Sequence, residues 1–257
     1  MTKIDPALKI SIVIPVYNEE DTILQVLRSV ALQQKTIQAA LTSPTCKPPK
    51  ISFEVIIVND ASTDSTLSIL KKNPKLYTLL LDQEKNQGKS AAVHAGIFKA
   101  TGEYILIQDA DLEYNPVDYP KLLKPIVEHN ADVVYGSRFR GGEANRVIYF
   151  SHFLGNTCIT FLCNCFTNLN LTDIETGYKI IRSSLTKNMV LKESGFGIEP
   201  EITMKLAWLK PVIFEVGISY YGRTYTEGKK IGMKDGVHAV WIILKLGISR
   251  IFTQTFK

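Results

Sequence analysis

The chain has 257 residues, of which 45% are hydrophobic and 21% charged, and its formal net charge is +5. This length and balance are typical of a folded α/β domain and exclude an intrinsically disordered chain. The mild positive charge suits anionic partners such as nucleotides, phosphorylated lipids or an anionic membrane. We expect no nucleic-acid partner, because the sequence carries neither a basic stripe nor a ladder of aromatic residues.

Strands and helices alternate through the first half of the chain. Apolar runs predict strands at residues 11–16, 53–58, 76–81, 104–108 and 133–135. Helical spacing of apolar residues predicts helices at 20–34, 90–99 and 117–128. This order predicts an α/β fold with a mostly parallel sheet flanked by helices. Residues 35–50 are rich in proline and lysine and predict a surface loop or insertion.

The second half of the chain is less regular. A long apolar helix is predicted at 146–169, with strands at 178–181 and 212–219. We expect one domain over residues 1–235, followed by an amphipathic helix at 236–257. Apolar residues with cations between them are typical of a helix that lies in a membrane interface; a core helix or a dimer contact is the alternative.

The cysteines and the N-terminus bear on the cellular compartment. Cys46, Cys158, Cys163 and Cys165 lack the paired spacing and further ligands of a zinc site, which predicts free thiols in a reducing compartment. The sequence predicts neither a signal peptide nor a transmembrane helix. We therefore expect a cytoplasmic protein whose contact with a membrane, at its cytoplasmic face, is peripheral.

Three carboxylates follow a predicted strand in the segment QDADLE. Asp109, Asp111 and Glu113 come directly after the apolar run YILI, and alternation along an extended segment would place them on one side. Ligands of parallel sheets bind beyond the carboxyl ends of the strands. Converging carboxylates repel each other unless a cation lies between them, and hard cations such as Mg²⁺ or Mn²⁺ prefer oxygen ligands. A solvated acidic turn or a helix cap is the alternative interpretation.

Seven segments carry a family resemblance. They are SIVIPVYNEE at 11–20, VNDASTDST at 58–66, NQGKSAAVHAGIFKATGEYILIQDADLEYNP at 86–116, GSRFRGG at 136–142, NLTDIETGYKIIR at 170–182, FGIEPEI at 196–202 and YYGRTYTEGKKIG at 220–232. In order and spacing they resemble the glycosyltransferase family 2 enzymes of GT-A fold, and within them the dolichyl- and polyprenyl-phosphate sugar transferases. The resemblance implies a catalytic domain over residues 1–235 that transfers mannose or glucose, with inversion, from GDP-mannose or UDP-glucose. The implied acceptor is a polyprenyl or dolichyl phosphate, and the implied cofactor is Mg²⁺ or Mn²⁺.

The resemblance also implies roles for individual residues, position by position. Those matching the donor site are Pro15, Tyr17, Glu19, Asp60, Lys89, Asp109 and Ala110. Those matching the metal site are Asp109, Asp111 and Glu113, the last at a position where this branch often has Gln. Those matching the acceptor-phosphate site are Arg138, Arg146, Ser151 and Arg223. The predicted catalytic residues are Asp111, Arg138 and Arg223, and Lys229 and Lys230 would hold the donor diphosphate or the acceptor phosphate.

The acceptor decides whether a catalytic base is needed. A lipid monophosphate is already an anion near neutral pH, so it needs orientation and charge neutralisation, which arginine provides. A sugar or protein hydroxyl would instead require a carboxylate base, for which Glu175 and Glu199 are the candidates. A third alternative is a nucleotide-sugar-binding scaffold or regulatory subunit without turnover; the presence of Asp109, Asp111 and Arg223 argues against it.

Overall fold

A computed structural model of the protein describes residues 7–42, 48–142, 144–187, 189, 191–193, 195–223 and 232–255. Lys229, Lys230 and Cys46 lie outside these residues. The strands are β1 Ala7–Val16, β2 Lys50–Asn59, β3 Leu79–Asp82, β4 Tyr104–Ile107, β5 Val133–Ser137, β6 Lys179–Arg182 and β7 Ile213–Gly217. The helices are α1 Ile23–Leu41, α2 Thr66–Lys72, α3 Lys89–Lys99, α4 Tyr119–His129, α5 Phe150–Thr167, α6 Ser183–Thr186, α7 Ile198–Leu209 and α8 Met233–Thr255. Three short 3₁₀ turns lie at Pro74–Leu76, Pro116–Asp118 and Gly195–Gly197.

The seven strands form one sheet in the order β3-β2-β1-β4-β6-β5-β7. All neighbouring strands are parallel except β6, which runs antiparallel to both β4 and β5. The predicted α/β fold with a mostly parallel sheet is therefore confirmed. Strand β4, and β1 from Ile12 to Val16, are unbroken apolar runs because helices cover both faces of the sheet there.

The two faces of the sheet carry separate apolar cores. Ile12 faces a core that includes Leu27 of α1 and Leu122 of α4. The next residue along β1, Val13, points to the other face and packs against Gly96 of α3. That second face is also covered by α5, α7 and α8. Successive side chains of β1 thus pack against the helices of opposite faces of the sheet.

Among the boundaries in the first half that differ from the prediction, those of α1 and β3 are explained by local sequence. Helix α1 continues to Leu41, so the expected loop at 35–50 is wrong over its first residues. Ile37 and Leu41 remain on the buried face of α1 and extend its apolar stripe by two turns, which the polar residues between them obscure in the sequence. The strand expected at 76–81 begins only at Leu79, because Pro74 starts a 3₁₀ turn.

Helices α5 and α8 lie side by side. A Cβ atom placed on Gly247 of α8 would be 2.3 Å from the ring of Phe166, so glycine permits the close packing of the two helices. Both helices were predicted, with boundaries a few residues away. No helix in the described part of the chain combines the length and the hydropathy required to cross a membrane.

Candidate active site

The predicted site residues meet at the carboxyl end of the sheet. Glu19 follows β1, Asp60 follows β2, and residues 109–113 follow β4. The hydroxyl of Thr22 donates to the carbonyl oxygen of Ala110 at 2.9 Å and to the Glu19 carboxylate at 2.9 Å, which ties the first and third of these loops together. The carboxyl ends of parallel strands form one edge, where α/β proteins bind their ligands.

Four carboxylates form one cluster at this edge: Glu19, Asp109, Asp111 and Glu113, hereafter the carboxylate cluster. Arg223 enters it from the second half of the chain. Its guanidinium pairs with Asp111, lies 3.4 Å from Glu19 Oε1, and places Nε 3.7 Å from Glu113 Oε1. The backbone N–H of Arg223 donates to the same Glu113 oxygen at 2.6 Å. Arg223, predicted as an acceptor-phosphate ligand, thus contacts the predicted metal ligands in this structure.

The backbone of the 109–113 segment bends after Asp109, so the predicted extended conformation is wrong. The Asp111 carboxylate accepts a hydrogen bond from the backbone N–H of Glu113 at 3.1 Å, and this local bond competes with an extended chain. Asp109 therefore faces Lys89, at 2.7 Å, while Asp111 and Glu113 face Arg223. Within the described residues, no group of three or more His, Cys, Asp and Glu side chains already surrounds a metal position. The metal-ligand assignment stays a prediction.

The carboxylate cluster carries more negative charge than its partners neutralise. Burial and the neighbouring carboxylates of Asp109 and Glu113 raise the pKa of Asp111 to about 7, although Arg223 acts in the opposite direction. Carboxylate oxygens are the ligands that Mg²⁺ and Mn²⁺ prefer. The donor set and its unbalanced charge therefore fit a divalent cation.

Asp60 holds the turn that presents Lys89. Its two carboxylate oxygens accept from the backbone N–H groups of Gln87, at 2.8 Å, and Gly88, at 2.7 Å. Gly88 has φ of +86°, which glycine adopts without strain, and Lys89 begins α3 directly after it. Burial disfavours the ammonium of Lys89, but Asp109 and Glu199 outweigh this effect and raise its pKa above the ordinary value.

Two further predicted donor residues lie on β1 and in the loop after it. Pro15 is buried within the strand, whereas the ring of Tyr17 is exposed and presents a face to solvent. Asn18 follows in a left-handed conformation and pairs with the backbone N–H of Thr63 at 2.8 Å. A nucleoside role for Pro15 and Tyr17 stays a prediction.

A cleft of about 400 Å³ opens beside the carboxylate cluster. Its polar lining includes Arg138, Arg146 and Tyr220, and its apolar wall includes Val147, Phe150 and Phe153. We call it the arginine cleft. The Tyr220 hydroxyl donates to Glu113 at 2.9 Å, and its ring lies 5.2 Å from the Arg138 guanidinium. Tyr220 therefore lines the arginine cleft and also contacts the carboxylate cluster.

The predicted phosphate ligands near this cleft differ in their exposure and in their hydrogen-bond partners. Arg138 is held by a bidentate pair with buried Asp173, both contacts being 2.7 Å, so part of its guanidinium is already engaged. Arg146 is more exposed and donates to the carbonyl oxygen of Gly222 at 3.3 Å. Ser151 is exposed in the first turn of α5, beside the cleft-lining residue Phe150.

The two candidate bases have different surroundings. Glu199 is buried and pairs with Lys179 and Lys89, so both of its oxygens are engaged. Glu175 is half-buried, and its Oε1 is shielded from solvent and has no hydrogen-bond partner among the residues that the structure describes. Burial and the nearby Glu199 raise the pKa of Glu175 to about 7. Glu175 is therefore the candidate whose protonation state is suited to a base near neutral pH.

Sequence reasoning missed three residues of the site: Asp173, Lys179 and Tyr220. Each lies inside a segment that carries the family resemblance, which was the available signal. Their partners are far away along the chain, however, and only the folded sheet brings them together.

The fold and site define an α/β transferase of the GT-A type, with a carboxylate cluster at the carboxyl edge of a sheet that contains one reversed strand. The family model for glycosyl transferase family 2 matches residues 11–190. The chain belongs to this family and is a glycosyltransferase.

Two relatives illustrate the similarity in sequence. The dolichol-phosphate mannosyltransferase of Pyrococcus furiosus is 26% identical over 229 residues, which are 87% of this chain and 61% of the relative. The dodecaprenyl-phosphate galacturonate synthase of Rhizobium johnstonii is 27% identical over 231 residues, 87% of this chain and 62% of the relative. The chain therefore spans about three fifths of the length of these two relatives.

Two solved structures illustrate the similarity in fold. Glucosyl-3-phosphoglycerate synthase of Mycobacterium tuberculosis, in complex with Mn²⁺, UDP and phosphoglyceric acid, aligns with a TM-score of 0.68 at 16% identity, covering 93% of this chain and 78% of the other. S. aureus TarS, in complex with UDP-GlcNAc, aligns with a TM-score of 0.61 at 25% identity, covering 93% and 66%. The first likeness concerns the fold alone.

Proposed function

We propose that this glycosyltransferase moves mannose or glucose, with inversion, from a nucleotide-sugar donor to a polyprenyl or dolichyl phosphate. The observation that carries the proposal is the arginine cleft, where two guanidinium groups lie beside an apolar wall and share Tyr220 with the carboxylate cluster. An isoprenoid phosphate presents the matching pair of features, an anion followed by an apolar chain.

The names of the relatives support this acceptor class. The P. furiosus and R. johnstonii proteins are both named for a phosphorylated polyisoprenol. S. aureus TarS was crystallised with a nucleotide sugar, which supports a donor of that class, such as GDP-mannose or UDP-glucose.

The proposed transfer requires no base. A phosphate oxygen of the acceptor attacks the anomeric carbon opposite the nucleoside diphosphate. The new carbon–oxygen bond forms as the bond to the diphosphate breaks, and the diphosphate leaves with the electron pair. Arg138 and Arg146 neutralise and orient the acceptor phosphate, since a guanidinium matches phosphate geometry and keeps its charge.

On the donor side, the carboxylate cluster would hold a divalent cation and the nucleotide. Asp111, with Asp109 and Glu113, would bind Mg²⁺ or Mn²⁺, which would supply positive charge to the leaving diphosphate. The exposed ring of Tyr17 offers a stacking face for the base. Arg223, which contacts Asp111 and Glu113 of the cluster, would offset phosphate charge there.

We further propose that the protein contacts the cytoplasmic face of a membrane peripherally, and two exposed apolar stripes support the membrane contact. The exposed stripe of α5 contains Phe150, Leu154 and Phe161, and that of α8 contains Val237, Trp241, Leu244 and Ile248. Helix α5 contains no Asp, Glu, Lys or Arg at all. Its stripe begins at the arginine cleft, because Phe150 also lines the cleft. A lipid tail leaving the cleft would therefore meet an apolar helix surface.

The test is sugar transfer from radiolabelled GDP-mannose or UDP-glucose to a short polyprenyl phosphate with Mn²⁺ or Mg²⁺, followed by organic extraction. We expect label in the organic phase, with Arg146→Ala raising the acceptor KM about tenfold, the effect of one lost phosphate contact. Arg140→Ala is the matched control, because Arg140 is in the same loop but pairs with Glu215 at 3.4 Å. Donor hydrolysis without any organic-phase product would contradict the proposed acceptor.

A hydroxyl acceptor is the second candidate function, and Glu175 favours it. Its shielded oxygen has no hydrogen-bond partner in the described part of the chain, and its pKa is raised to about 7, which suits a general base near neutral pH. In that case Glu175→Gln would abolish transfer to a sugar or protein hydroxyl. Transfer to a polyprenyl phosphate that survives Glu175→Gln would support the first candidate.

A further inference from the structure

A row of four alternating charges runs from the carboxylate cluster into the core. Lys89 Nζ lies 2.7 Å from Asp109 Oδ1 and 3.6 Å from Glu199 Oε1, and the other Glu199 oxygen pairs with Lys179 Nζ. We call these four residues the charged row. The Lys179 side chain is fully buried and that of Glu199 is 4% exposed, so the inner half of the row has almost no contact with water.

An ion pair buried this deeply is poorly explained by stability alone. The cost of removing two charges from water is large, and apolar residues of similar volume are often as stable. Local contacts lower this cost: Lys179 donates to the carbonyl oxygen of Thr176, and Glu199 lies in the first turn of α7, where the helix dipole favours an anion. The Lys179–Glu199 pair differs from an ordinary buried ion pair because Glu199 also contacts Lys89, which reaches the carboxylate cluster.

We infer that Glu199 is a positioning residue, which Lys179 neutralises and which holds the ammonium of Lys89 in place beside Asp109 for the donor diphosphate. This inference rests on the proposed function, because it gives Lys89 a phosphate to contact. A lysine stem is flexible, and an ammonium held by one carboxylate can swing around it. Asp109 and Glu199 approach Lys89 Nζ separately and restrict that motion.

The ammonium has a donor left for the substrate. Lys89 Nζ carries three N–H groups; it lies 2.7 Å from Asp109 Oδ1, within hydrogen-bond distance, whereas Glu199, at 3.6 Å, is an ion-pair partner beyond that distance. An N–H group that does not bond to Asp109 can reach a diphosphate oxygen at the carboxyl edge of the sheet. The charged row contains two cations and two anions, so it adds no net charge to the site. Glu199 therefore orients the Lys89 ammonium without pulling it away from the site.

The row also connects the two halves of the molecule. Lys89 and Asp109 belong to the first half of the chain, whereas Lys179 begins β6 and Glu199 belongs to α7. Gly177, two residues before β6, lies against the Asp109 carboxylate, where a Cβ atom would be 2.5 Å from Oδ2. Asp109 is therefore fixed from both the α3 side and the β6 side.

The test removes the buried pair while keeping the core neutral. The variant Glu199→Gln/Lys179→Met deletes both inner charges of the row together, so neither is left buried alone. Its matched control is Glu201→Gln/Lys205→Met, since Glu201 lies on the same helix, is 1% exposed and pairs with Lys205 at 2.5 Å. Calorimetric titration with UDP and GDP, with and without Mn²⁺, gives the Kd of each variant, and thermal unfolding gives its Tm.

We expect the row variant to bind the preferred diphosphate about tenfold more weakly than the wild type, while the control variant keeps the wild-type Kd whatever its Tm. Adding Lys89→Met to the row variant should weaken binding little further, because residues that act as one unit are not additive. A row variant with the wild-type Kd overturns the inference, as does an equal loss of affinity in the control. If the wild-type protein binds neither UDP nor GDP, both the proposed function and this inference are overturned. This outcome can be told apart from the other two, because in those the wild-type protein still binds.

Discussion

The two ends of the sheet use buried charge in opposite ways. At the end where β4 begins, the carboxylate of Glu54 accepts hydrogen bonds from Lys9, Ser11 and Thr101. Burial opposes its ionisation, but these bonds outweigh burial and lower the pKa of Glu54 to about 2. Arg182 at this end likewise pairs with acidic side chains on both sides.

At the carboxyl end, by contrast, two acidic groups are held against their ordinary ionisation. The pKa of Asp111 is raised to about 7 by burial and by other carboxylates, and that of Glu175 is raised to about 7 by burial and by Glu199. The charge of Glu54 stabilises the fold, whereas the charges of Asp111 and Glu175 destabilise it and lie in the candidate active site. This contrast is typical of functional sites, where pKa values depart from their ordinary range.

The strongest way to test the contrast is Asp111→Asn, which removes one charge from the carboxylate cluster. We expect sugar transfer to fall about 100- to 1000-fold, the usual effect of losing one preorganised electrostatic group. The measurement is kcat/KM in the radiolabel assay, with Glu128→Gln on α4 as the control. Retention of a tenth or more of the wild-type activity would mean that the cluster is not the donor site.

The opposite end is tested by Glu54→Gln. Because the folded pKa of about 2 lies below the ordinary 4.5, ionised Glu54 stabilises the fold above pH 4.5, and this stability is lost as pH falls from 4.5 through 2. The shift corresponds to about 3 kcal/mol. We expect the variant to be less stable than the wild type by about this amount at pH 7, and the difference to shrink at pH 3.

Urea unfolding at the two pH values measures this effect, and Glu128→Gln again serves as the control. A Glu54→Gln variant as stable as the wild type at pH 7 would show that the hydrogen bonds of Glu54 do not stabilise the fold.

Glu175→Gln should change stability with the opposite sign. Its folded pKa of about 7 lies above the ordinary 4.5, so the fold is most stable below pH 4.5 and loses stability as pH rises through 7. Above pH 7 we expect the variant to be more stable than the wild type by roughly 1–3 kcal/mol, since the side chain is half-buried. The ionisable groups that face Glu175 are Glu199, Lys179, Arg138, Asp173 and Cys163.

Urea unfolding of both proteins at pH 4.5 and pH 8.5 checks the sign. A variant that is less stable than the wild type at pH 8.5 would mean that the Glu175 carboxylate has a stabilising partner.

The smallest expected effect concerns the apolar stripes. Trp241→Ala should weaken binding to anionic vesicles about fivefold, equivalent to about 1 kcal/mol of lost apolar contact. Leu32→Ala is the control, because Leu32 is 55% exposed, close to the 51% of Trp241, but lies on α1 at the other face of the sheet. Vesicle sedimentation measures the partition. Equal binding by both variants and the wild type would exclude α8 from the membrane contact.

Sequence reasoning succeeded where local pattern determines structure. Strands β1, β2 and β4 are apolar runs because both faces are covered, and α3 has clear helical spacing. Helix α7 was missed, because its residues from Ile198 to Met204 are all buried, including the polar Glu199, Glu201 and Thr203, so polarity marks no exposed face. The spacing of apolar residues predicts a helix only where the helix is amphipathic, and α7 is not.

The candidate site was predictable as a set of residues but not as a set of contacts. The family segments name Asp109, Lys89 and Arg223, yet no sequence rule pairs Asp111 with Arg223 or Arg138 with Asp173. Those pairs depend on the strand order, in which β6 enters between β4 and β5.

The reversed strand β6 also determines the order in which the molecule can assemble. Strands β1 to β4 pair only among themselves and with β6, so they can form a sheet from neighbouring β-α-β units. Strand β5 has no partner except β6 and β7, although it is synthesised before both. Strand β6 must therefore pair with β4, across the long connection from residue 107 to residue 179, before β5 can join the rest of the sheet. Because non-local pairing slows folding, we expect the rate of refolding to follow this closure, with β5 acquiring protection from hydrogen exchange only after β6 has docked against β4.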